Sequence, residues 1–164
     1  MNEIVLSYHN DPALKARLVT DAHAHRQADR YVQGIYFFPS EGDEGDWEGC
    51  AVGCTTVPLL AEEQGVPVGE VDTPTGWHEE QERLAGIPQW LGRVQDRIFE
   101  NLPASTRSDW PVRFLEAVPV GVNLDTAREE WLRDVVMVPE RGAVASAATS
   151  LDAAGHSEHA AILR

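Results

Sequence analysis

Lysine is nearly absent from this chain: Lys15 stands alone beside twelve arginines. Between Tyr31 and Glu82 neither basic residue occurs, although that stretch carries twelve Asp and Glu and supplies most of the net charge of -14. A segment so poor in positive charge repels nucleic acid and anionic lipid, which excludes direct nucleic-acid binding and leaves a cation or a basic protein surface as its counterpart. Long apolar runs are missing too. Nothing approaches the ~20 residues of a membrane span, and no basic cluster followed by an apolar run opens the chain, so no membrane association and a cytoplasmic location are expected. Cysteine occurs only at Cys50 and Cys54, too few for a disulfide framework, and both are expected as reduced thiols. No phosphate-cradling glycine loop or nucleophile elbow is present, and the acids and glycines of residues 41–48 do not follow the order of a calcium loop.

What is present points to a mainly α protein. At 164 residues with 43% apolar content, the chain can bury one substantial core. About five helices are expected in a single domain over residues 1–141, with a short β-like run near Ile35 to Phe38 and an irregular acidic region over 37–82. The Ala-rich tail, 142–164, reads as a frayed helix or disorder. Asp11-Pro12 opens the first helix as cap and first-turn proline, and Gly34 can stop it. On that helix Leu14, Leu18, Ala22, His25, Asp29 and Val32 share one face. Between Thr55 and Trp77, Pro58, Pro67 and Pro74 alternate with glycines and suggest an exposed excursion. Residues 88–102 give a strong apolar stripe of Leu91, Val94, Ile98 and Leu102.

Three constellations could carry chemistry. Asp21, His25 and Asp29 recur every four residues, so two carboxylates can bracket one imidazole, fix its tautomer and make His25 a general base or a metal ligand. Cys50 and Cys54 could join His25 and Asp29 as a zinc set, or Cys54 could be a nucleophile beside the imidazole. The structural alternative for each is a satisfied buried histidine and inert buried thiols, and it outweighs the functional one. Asp96 with Glu100, and Glu130 with Asp134, are carboxylate pairs at helical spacing that could hold a divalent ion if they faced each other, though such pairs usually decorate a solvated face.

The run His23-Ala-His-Arg-Gln-Ala-Asp29, then Val32-Gln-Gly34 and Tyr36, Gly49-Cys-Ala-Val-Gly-Cys54, and Gly86-Ile-Pro with Leu91, Arg93, Asp96, Ile98-Phe-Glu100 and Leu102-Pro resembles a family of uncharacterised phage and bacterial proteins. The resemblance implies a genomic setting and no activity. Thr56-Val57-Pro58 stands where such proteins tend to carry a histidine after the second cysteine. The leading expectation is therefore a non-catalytic acidic protein, with no cofactor and no assigned metal. It would dock Glu41, Asp43, Glu44, Asp46 and Glu48 on the basic, nucleic-acid-facing surface of a partner protein. The alternative is a small metal- or thiol-dependent hydrolase centred on His25 and Asp29 with Cys50 and Cys54.

Overall fold

In a computed structural model of the chain, residues 4–39, 46–138 and 142–162 are described. Contacts group them into two compact units, Met1–Asn123 and Leu124–Arg164. The protein is mainly helical, and no helix among the described residues is long and apolar enough to cross a membrane.

The first unit begins with a short turn, Ser7–Asn10, in which Tyr8, His9 and Asn10 adopt the left-handed φ values 52°, 51° and 60°. Such a run is costly for residues with a Cβ, and tertiary bonds hold it in place. Ser7 N donates to Val122 O and Ser7 accepts from Gly121 N, while the buried Tyr8 hydroxyl donates to Leu115 O. Gly86, itself left-handed, lies under the turn, where a Cβ would stand 2.5 Å from Leu6 O.

Helix α1, Pro12–Gln27, is capped as its sequence suggests, with Asp11 Oδ1 accepting from Ala13 N at 2.8 Å. It ends earlier than the apolar stripe predicts. Asp29 takes a left-handed φ of 54°, a conformation aspartate tolerates, so neither Asp29 nor Val32 lies on the helix. Two short strands follow, β1 (Phe38–Pro39) and β2 (Trp47–Glu48), paired antiparallel with Phe38 opposite Glu48.

The largest departure from expectation is α2, Ala51–Gln64, which occupies residues read as the start of an exposed excursion. Val52, Val57, Leu59, Leu60 and Ala61 on it are buried, and Pro58 lies inside it. A helix apolar on nearly all sides belongs at the centre of a fold, and α2 packs against α1 and against α3 (Trp77–Ala85) and α4 (Gln89–Asn101). Tyr31, Trp47 and Phe99 complete the core around it. Helices α5 (Ala104–Arg107) and α6 (Trp110–Ala117) close the unit, α6 against α1 and α4. The second unit consists of α7 (Asp125–Met137), α8 (Ala143–Ala153) and α9 (Ser157–Ile162), so the Ala-rich segment is helical where it is described.

Candidate functional site

The motif Gly-Cys-Ala-Val-Gly-Cys is explained by a close approach of backbones. A Cβ at Gly49 or Gly53 would lie 2.3 Å or 1.6 Å from Tyr36 O, so only glycine lets the 35–36 segment lie flat on the start of α2. Cys50 N donates to Ile35 O at 2.8 Å in the same contact. Cys50 is the N-cap of α2, its sulfur accepting from Gly53 N at 3.5 Å. Helix N-termini favour negative charge, so this sulfur sits where a thiolate would be stabilised once a cation is beside it.

Helix α4 brings Asp96 and Glu100, one turn apart, to the same place. The loop before β1 is tied to that helix: Gly34 N donates to Glu100 Oε2 at 2.8 Å, Tyr36 Oη donates to Asp96 Oδ2 at 3.1 Å, and Gln33 Nε2 donates to Phe99 O and Leu102 O. Trp77 stacks on Tyr36 with centroids 5.1 Å apart and planes at 10°. One ligand atom from each of Cys50, Asp96 and Glu100 lies within 4.8 Å of the others, and among the described residues no other group of three or more such side chains does so. These residues open onto a cleft of about 280 Å³ completed by Gly34, Ile35 and Tyr36. No lysine or arginine pairs with either carboxylate among the described residues. Burial, with the negative charges of Asp96 and Glu100 beside it, pushes the Cys50 thiol up to about 12 against the opposing amides of Gly53 and Val52, and burial with Asp96 raises Tyr36 to about 12. A free thiol so placed is a poor nucleophile. A sulfur with two carboxylates is instead a donor set for a borderline-soft divalent ion such as zinc, whereas magnesium and calcium prefer oxygen alone.

His78 adjoins the set. Its Nε2 is 3.5 Å from Asp96 Oδ2, buried and without a hydrogen-bond partner, and its ring meets Tyr36 edge-on.

The residues singled out in the sequence are dispersed. His25 is buried in the core between Tyr31 and Trp47, at centroid distances of 6.1 and 5.0 Å. Its Nδ1 has no partner, and no hydrogen bond or ion pair joins it to Asp21, which pairs with Arg17, or to Asp29. Burial, assisted by Arg30, draws the His25 pKa down to about 4. Cys54 is buried, bonded through its thiol to Gly49 O at 3.5 Å, and raised well above the usual thiol range by burial. Of His25, Asp29, Cys50 and Cys54, only Cys50 belongs to the compact donor set. The pair Asp96 and Glu100 was legible from its spacing, while Glu130 and Asp134 are exposed on α7 in the other unit. Nothing in the spacing of Cys50, Tyr36 and His78 pointed to α4.

In the acidic stretch, Glu41, Asp43 and Glu44 lie outside the described residues. Arginines from beyond the stretch pair with five of its other acids: Arg30 with Asp46, Arg17 with Glu62, Arg83 with both Glu63 and Glu80, and Arg93 with Glu79. Glu48 is exposed on β2. No family model matches the chain, and no curated protein or solved structure matches it either.

Proposed function

We propose that the protein is a small metal-dependent hydrolase whose divalent ion is held by Cys50, Asp96 and Glu100. The observation that carries this reading is the convergence of one sulfur and two carboxylates within 4.8 Å at the edge of a cleft. A cation there would relieve the repulsion between the two carboxylates and would polarise a carbonyl that reached it through the cleft. The Tyr36 hydroxyl donates to Asp96 and, braced by Trp77, holds that carboxylate in place at the same edge. The test is metal content after dialysis against zinc, followed by hydrolysis of a panel of uncharged esters and amides. One ion per chain is expected, with loss of both metal and turnover in Cys50→Ser, Asp96→Asn and Glu100→Gln. A protein that retains no metal at micromolar zinc ends the proposal.

A second reading, docking of the acidic segment on a basic protein surface, is supported by β1–β2, where Asp46 and Glu48 are exposed next to the sequence that carries Glu41, Asp43 and Glu44. Its test is reversal of these five acids to Lys. Association with a basic partner should vanish and should weaken steeply with salt in the parent; an unchanged affinity removes it.

A further inference from the structure

Outside the three donors just described, the side chain left least satisfied beside the cleft is His78. Its side chain is 14% exposed, and Nε2 is buried with no hydrogen-bond partner. A buried ring nitrogen in that state loses its water without compensation. The group nearest to it in an ionic sense is Asp96 Oδ2 at 3.5 Å, a contact that lacks hydrogen-bond alignment. That separation has another meaning. Nitrogen and oxygen ligands at about 2.1 Å from a shared tetrahedral zinc stand about 3.4 Å from each other.

His78 stands outside the 4.8 Å cluster of the three donors, so its ring must turn to join them. Gly92 on α4 faces it, and a Cβ there would come within 3.4 Å of His78 Cδ2 and 2.4 Å of Gln81 Oε1. Gln81 is fully buried, donates from Nε2 to Gln95 Oε1 at 2.9 Å, and leaves its own Oε1 without a partner. An unpartnered acceptor therefore lies near the same spot on α4 as the imidazole, and metal-bound histidines use such an acceptor for the N–H on the far side of the ring. On the opposite side Tyr36 already bonds Asp96, the hydrogen bond that orients a ligating carboxylate.

We propose that His78 is the imidazole ligand of the ion, completing with Cys50, Asp96 and Glu100 a four-donor site selective for zinc; this rests on the metal reading above. Zinc suits the mixture of thiolate, imidazole and carboxylate, and hydrolysis there would need a fifth position beside the four protein donors.

X-ray absorption of the zinc-loaded full chain tests it. One sulfur and one imidazole in the inner shell are expected, and His78→Ala should remove the imidazole signal and weaken zinc at least about tenfold, with His78→Gln failing to restore it. Circular dichroism of both variants checks that they fold. Zinc bound through sulfur with no imidazole, and held equally by His78→Ala, overturns the role of His78 and leaves the three-donor site standing. Absence of bound zinc in the parent overturns both.

Discussion

His25 illustrates how a residue with catalytic credentials can be occupied by packing. Its ring fills the space between Tyr31 and Trp47, and the neutral form is the one the core accepts. The folded-state pKa is lowered from 6.5 to about 4. Above pH 6.5 the imidazole is neutral folded or unfolded, so stability is flat. Between 6.5 and about 4 only the unfolded chain takes up the proton, so stability falls with falling pH by up to about 1.4 kcal/mol per unit. Denaturant titrations across that window should show the slope, and His25→Gln should flatten it. Gly53 makes the opposite point, since its importance lies in an absent side chain. Gly53→Ala places a Cβ 1.6 Å from Tyr36 O, a backbone atom that cannot swing away. The cost should be on the order of 3 kcal/mol, read as a lowered midpoint of thermal unfolding together with weaker metal binding.

At the level of elements, α1 and α4 were legible because each shows a stripe at helical spacing with a recognisable start, Asp11-Pro12 in one and Pro88 in the other. Helix α2 was not. Its apolar residues cover most of its circumference, so no period stands out; Pro58 reads as a breaker, and Gly53 also sits inside the helix. Both are tolerated because of tertiary contacts invisible in the sequence, Gly53 against Tyr36 and the whole helix against three neighbours. The site suffered the same fate: Cys50 looked like a small buried residue between glycines, and only the meeting of α2 with α4 gives it carboxylate company. If α2 is the central element, Leu60→Ala should cost about 2 to 5 kcal/mol, far more than a surface position. A loss below 0.5 kcal/mol in chemical denaturation would return α2 to the periphery.

For the molecule as a whole, the proposed ion would bear on the balance of charge. The net charge of -14 opposes compaction, and the arginine pairs that answer part of it are exposed and individually weak. A divalent ion at Cys50, Asp96 and Glu100 would add positive charge inside the first unit. At a hundredfold excess over its dissociation constant it should stabilise the fold by about 2.7 kcal/mol. Calorimetry with and without chelator should show the difference, and Cys50→Ser should abolish it.

The left-handed turn at Tyr8, His9 and Asn10 bears on the order in which the chain assembles. It is held by Leu115, Gly121 and Val122, more than a hundred residues downstream. Contacts of such sequence separation carry the largest loop-closure entropy, and during synthesis the bonds of Ser7 and Tyr8 cannot be completed until Val122 has left the ribosome. The turn is therefore among the last parts of its unit to be locked in place.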